Sequence, residues 1–204
     1  MTPVLVTGAS GYLGARVVAL LRERGALAAA TARRSDGCIP CDLTERRAVA
    51  DLLAETAAPK VVHCAAAVPK SEAGYRDEEA AAASLSMVDN LIAAAPRQVV
   101  FPSSMCVYSS GSRMPVHEED AGPPASGYAG AKRKAEIRLM EAAGVRCTVL
   151  RLPSLFGHRR AAGACSTMRQ SRSRGGIRHR CPPIRPCGRP CTWTTRRNCA
   201  CGRQ

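Results

Sequence analysis

Three glycines at intervals of three, Gly8, Gly11 and Gly14, constrain this chain more than any other feature. They lie in Thr7-Gly8-Ala9-Ser10-Gly11-Tyr12-Leu13-Gly14, between the apolar run 3–7 and a segment with apolar side chains at Leu13, Val17, Val18, Leu20 and Leu21. The run reads as a buried strand, and the segment as an amphipathic helix closed by Gly25. Glycine lets the chain pass from strand to helix in one tight turn, lets backbone amides approach a bound group, and lets the helix pack on the strand. The helix N-terminus then offers partial positive charge to an anion. The segment therefore predicts a dinucleotide-binding turn, with Gly8, Ser10, Gly11, Tyr12, Leu13 and Gly14 against the phosphates.

The rest of the first 157 residues alternates strand and helix. Strands are predicted at 26–31, near Cys38–Cys41, and at 60–66, 98–104 and 145–152; helices at 45–55 (Thr44 as N-cap), 78–95 and 128–143. This alternation predicts an α/β fold of the Rossmann type, doubly wound on a largely parallel sheet of about six strands covered on both faces.

Two later motifs carry chemistry. Tyr128-Ala129-Gly130-Ala131-Lys132 places a phenol and an ammonium four residues apart, on one face of a helix. A neighbouring ammonium favours phenolate and would lower the tyrosine pKa. Upstream, Phe101-Pro102-Ser103-Ser104-Met105-Cys106-Val107-Tyr108 ends a strand with two serines, at the sheet edge where open α/β sheets bind ligands.

Taken in order, these motifs resemble the extended short-chain dehydrogenase/reductases, the NAD-dependent epimerase/dehydratase family, over residues 3–158. The resemblance implies a catalytic set of Ser104, which orients the reacting oxygen, Tyr128 as general acid/base, and Lys132, which also binds the nicotinamide ribose. Asp42-Leu43 resembles the pair that contacts adenine. His63-Cys64-Ala65-Ala66-Ala67 resembles the segment lining the cofactor site through Ala65 and Ala66; His63 itself reads as a core histidine. Tyr108 reads as structural. The chain departs from the family at Ser84, where asparagine is usual, while Asn90 fits a later position. Met105-Cys106 lacks the acid pair of a dehydratase, so epimerase or reductase chemistry, on a nucleotide sugar, is the implied activity. Relatives also imply a homodimer through residues 80–95 and 128–143.

The choice of cofactor turns on the second strand's end, Thr31-Ala32-Arg33-Arg34, which has no acid before Asp36. An acid there holds a ribose hydroxyl, whereas Arg33 and Arg34 suit a 2′-phosphate. NADP is expected over NAD, and no metal set is evident.

Charge separates the chain into two parts. The net charge is +14, but residues 1–157 hold 18 Lys+Arg against 16 Asp+Glu, while residues 158–204 hold 12 Arg and no Lys, Asp or Glu. Six of the 11 cysteines also fall in this tail; the earlier five read as small apolar residues in a reducing compartment. The tail has no sustained period and is expected to be disordered or poorly packed. Its cysteine spacings contain no repeated C-x-x-C pair, against a zinc module. An arginine arm could hold nucleic acid through charge and Trp193, without specificity. A reading-frame shift in a GC-rich gene near residues 158–175 accounts for the same composition, and would leave a nucleotide-binding remnant without its substrate lobe. With no 18-residue apolar run and no basic leader, the expected location is the cytoplasm, away from the membrane.

Overall fold

The computed structural model describes residues 2–34, 37–108 and 115–156. Its strands are β1 (Val4–Thr7), β2 (Leu27–Ala32), β3 (Ile39–Pro40), β4 (Lys60–His63), β5 (Gln98–Ser104) and β6 (Arg146–Leu152). They form one six-stranded sheet in the order β3-β2-β1-β4-β5-β6, and every pairing is parallel. The expected Rossmann-type α/β architecture is what the chain adopts.

Helix α1 (Tyr12–Glu23) packs on one face, where Val18 meets Val6, Ala9 and Ala30. Helices α2 (Arg46–Thr56), α3 (Glu78–Ala93) and α4 (Gly127–Glu141) cover the other, around Leu5, Val61, Val99 and Phe101. Neighbours such as Leu5 and Val6 divide between the two faces because successive strand side chains point oppositely. Valine, leucine and alanine fill both layers, and Phe101 is the largest fully buried side chain. Cys38, Cys41, Cys64, Cys106 and Cys147 are free thiols, of which Cys41 is buried.

Several boundaries differ from the sequence reading. Thr44 does not cap α2: the cap position is Glu45, and Thr44 instead gives both its amide (2.9 Å) and its hydroxyl (2.7 Å) to the Asp42 carboxylate. A turn closed on Asp42 uses the hydroxyl that the helix end would have needed. Asp77 caps α3, accepting from the Ala80 amide at 2.9 Å. Strand β4 stops at His63, three residues short of the expected end, because the chain there leaves the sheet beside Gly8. Helix α3 ends at Ala93 and α4 at Glu141, each two residues early. The tail, residues 158–204, lies outside the described residues, as does Asp36.

Candidate active site

The glycine turn is built by backbone contact. A Cβ on Gly14 would lie 2.1 Å from the Gly8 carbonyl oxygen, and one on Gly8, at φ +66°, would lie 2.5 Å from the Ala65 amide nitrogen. Any side chain at either position would push the turn off α1 or off the β4 loop. Ala9 and Gly11 donate inward, to Thr31 and Gly8 carbonyls at 3.0 Å each. The first amides of α1, beginning at Tyr12, have no acceptor within the helix. Ser10, Gly11 and Tyr12 are exposed, Leu13 is half-buried, and no acid stands in the first turn. These features fit a bound pyrophosphate.

Other expected cofactor residues converge on the same sheet edge. Gly8 brings the turn against Ala65, whereas Ala66 is half-buried just beyond it. Leu43 is buried and Asp42 exposed; the Thr44 hydroxyl and amide, with a smaller contribution from Arg33, hold the Asp42 carboxyl below its ordinary range. Asn90 fixes this segment from α3, its amide donating to the carbonyls of Leu43 (3.0 Å) and Thr44 (2.8 Å). Ser84 takes the Ala67 amide at 3.0 Å and donates to Ala80, so the residue that departs from the family pins the β4 loop. Arg33 and Arg34 are exposed at the end of β2.

On the far side, α4 carries Tyr128 and Lys132. Lys132 is buried, with only 8% of its surface accessible. Its Nζ donates to the Pro102 carbonyl at 2.9 Å and stands 4.6 Å from the centre of the Phe101 ring and 5.8 Å from that of Tyr128. Burial, opposed by Cys106, Cys64 and Glu136, brings the ammonium down to about 8. Tyr128 is half-buried, and burial, then Cys106 and Tyr75, push its phenol up to about 12. The sequence reading expected the opposite shift. The correction has a physical reason: withdrawal from water disfavours the charged form of both groups, and Lys132 spends its hydrogen bond on a carbonyl.

The two serines separate cleanly. Ser103 is buried and donates to Glu136 Oε1 at 2.5 Å. Ser104, at the end of β5, is half-buried and its hydroxyl accepts from the Cys106 amide at 3.3 Å. The Tyr108 hydroxyl oxygen accepts from Arg151 at 2.8 Å, and the guanidinium lies 4.9 Å from its ring centre.

His63 is buried end to end. Its Nδ1 pairs with the Thr7 hydroxyl at 2.9 Å and its ring lies against Phe101, yet Nε2 has no partner among the described residues. Burial, and then the charge of Lys132, pull it down to about 3, so it is neutral at ordinary pH. Sequence reading missed two further residues. Glu136 and Tyr75 carry no motif, and only the packing of α4 against β5, β6 and the turn at Ala73–Arg76 reveals them.

Comparison with known proteins agrees with this construction. The NAD dependent epimerase/dehydratase family profile matches residues 4–186, which reaches beyond the similarity read from motifs. A protein of Mycosarcoma maydis named fatty acid hydroxylase uhd1 is 35% identical over 120 residues, 52% of this chain and 40% of that one. Among solved structures, a GDP-mannoheptose C4 reductase from Campylobacter jejuni with NADP bound superposes with a TM-score of 0.64 at 22% identity, over 76% of this chain and 48% of that one. A UDP-glucose 4-epimerase from Brucella ovis in complex with NAD gives 0.60 at 26% identity, over 74% and 51%. The chain thus spans about half the length of these relatives. With the profile covering most of its residues, this chain belongs to the NAD dependent epimerase/dehydratase family.

Proposed function

We propose that this chain binds a nicotinamide dinucleotide along the C-terminal edge of its sheet and acts on a carbonyl/alcohol carbon of a nucleotide sugar, as an epimerase or reductase. The observation that carries the reading is Lys132: a buried lysine, held beside Tyr128 and across the sheet edge from the glycine turn, with no carboxylate at ion-pair distance among the described residues. The nicotinamide, when bound, would accept or return a hydride. Ser104 would orient the substrate oxygen, and Tyr128 would exchange a proton with it. A phenol raised to about 12 holds its proton at neutral pH, which suits proton delivery to a carbonyl oxygen, the reductive direction. Lys132 would anchor the nicotinamide ribose. The exposed Arg33 and Arg34 at the end of β2 favour NADP over NAD through paired hydrogen bonds to a 2′-phosphate.

A second reading is a nucleotide-binding remnant without turnover, which the glycine turn by itself supports. Fluorescence titration with NADPH and NADH tests both readings. Tighter binding of NADPH is expected, and equal or tighter NADH would overturn the cofactor choice. Turnover with UDP-glucose or GDP-mannose, lost in Tyr128→Phe, would exclude the remnant. A hydroxy fatty acid belongs in the same screen, because the Mycosarcoma relative's name points to that chemistry. Binding without turnover on any of them favours the remnant. Location in the cytoplasm and a homodimer through α3 and α4 accompany the proposal; no helix among the described residues is long and apolar enough to cross a membrane.

A further inference from the structure

Tyr75 has no place in any sequence motif, yet the fold builds it against Tyr128. It lies in the short 3₁₀ turn Ala73–Arg76, which follows the loop leaving β4. The two rings meet edge to face, with centroids 5.7 Å apart and planes at 86°, an arrangement that the ring quadrupoles favour. The backbone fixes the turn in place. Gly127 starts α4 at φ +59°, and a Cβ there would lie 2.1 Å from the Tyr75 carbonyl oxygen, so only glycine allows this approach. The Gly127 amide also donates to Glu78 Oε1 at 2.7 Å, which ties the junction to the start of α3. Despite this anchoring, 45% of Tyr75 remains exposed. One part of the ring rests on Tyr128 and another is open beside the residue that carries the proton.

We propose that Tyr75 is a positioning residue: it holds the Tyr128 ring and forms with it an aromatic wall on which the sugar ring of the ligand packs. The wall rests on the nucleotide-sugar reading above; the hold on Tyr128 does not. Sugar rings present C–H faces to aromatic surfaces and hydroxyls to phenols, so two perpendicular phenol rings suit this ligand class. The phenol of Tyr75 also adds to the upward pressure on Tyr128, which keeps the proton where a donor needs it.

The chain has four tyrosines, Tyr12, Tyr75, Tyr108 and Tyr128, so fluorine NMR of 3-fluorotyrosine-labelled protein resolves each, with assignment by single Phe substitutions. Tyr75→Ala is expected to shift and broaden the Tyr128 line while leaving those of Tyr12 and Tyr108 in place, and Gly127→Ala to do the same by displacing the turn. Tyr75→Phe, which keeps the ring, should restore the wild-type Tyr128 line. A Tyr128 line unmoved in Tyr75→Ala overturns the proposal, as does movement of all the lines together. Tyr75→Leu serves if the alanine variant does not fold. In NADPH-saturated protein, Tyr75→Ala should bind UDP-glucose about three- to tenfold more weakly with NADPH affinity unchanged; equal UDP-glucose affinity removes the wall. If the wild type binds NADPH but no UDP-glucose, the sugar reading fails, and the fluorine spectra still decide the hold on Tyr128.

Discussion

Lys132 and Glu136 stand one turn apart on α4, both buried, and the fold treats them in opposite ways. Glu136 is fully covered and saturated. Oε1 accepts from Ser103 at 2.5 Å and from Arg151 Nε at 3.0 Å, while Oε2 accepts from Arg151 at 2.8 Å and Arg133 at 3.0 Å. Burial pushes this carboxyl up, but the bonds from Arg151, Ser103 and Arg133 outweigh it and hold Glu136 below its ordinary range. Arg151 extends the set to the Tyr108 hydroxyl and the Glu118 carbonyl, joining β5, β6, α4 and two loops. Among the described residues Lys132 has one hydrogen bond, to Pro102, and otherwise faces the Phe101 ring. A saturated buried charge fixes backbone elements relative to one another. An under-coordinated one destabilises the fold and keeps interaction capacity for a ligand.

The largest effect expected from breaking this contrast is at Glu136. Glu136→Ala strands Arg151 and Ser103 in the interior and should cost about 3–5 kcal/mol by urea unfolding. A loss below about 1 kcal/mol would show that the cluster is a solvated pair and that the contrast is false. Lys132→Met should move stability the other way, by up to about 3 kcal/mol at pH 7, because an apolar chain of similar length removes the cost of a buried ammonium. The wild-type folded state binds fewer protons than the unfolded state between pH about 8 and 10.5, so wild-type stability rises with pH through that window. In Lys132→Met the rise should vanish and NADPH affinity should collapse. A stabilised variant with intact cofactor binding would remove Lys132 from the site.

His63 sharpens the comparison at acid pH. Its folded pKa of about 3 lies below its ordinary 6.5, so stability falls as pH drops below 6.5, by about 2 kcal/mol at pH 5. Glu136, lowered from 4.5, contributes stability that is lost only as pH falls further, through the carboxylate range. Urea unfolding between pH 7 and 5 should therefore show a slope that His63→Leu flattens and Glu136→Gln leaves in place. A slope unchanged in His63→Leu would mean that water reaches the histidine and that the Phe101 layer is not dry.

The motif residues were legible because each works through local spacing. Gly8, Gly11 and Gly14 declare a strand-to-helix turn, and Tyr128 and Lys132 share a helix face whatever lies beneath them. The sequence also distinguished Ser104 from Ser103 by family pattern, although not why; the reason is the Glu136 carboxylate, which takes the Ser103 hydroxyl into the interior. Cap positions were less legible. Thr44 is by type a good capping residue for α2, but the competing Asp42 turn takes its hydroxyl, whereas Asp77 has no such competitor among the described residues and caps α3.

What the sequence determined by itself was the order of elements, the parallel sheet, the glycine turn and the family, because hydrophobic period and glycine spacing act within a few residues. Tertiary structure alone decided the ionisation of Tyr128 and Lys132, the burial of His63, the Glu136 cluster and the meeting of Tyr75 with Tyr128. Each depends on burial or on partners far apart in the chain, 53 positions in the case of the two tyrosines. A residue's proton affinity is set by how much water it has lost and by what replaces that water, and neither is written at its own position.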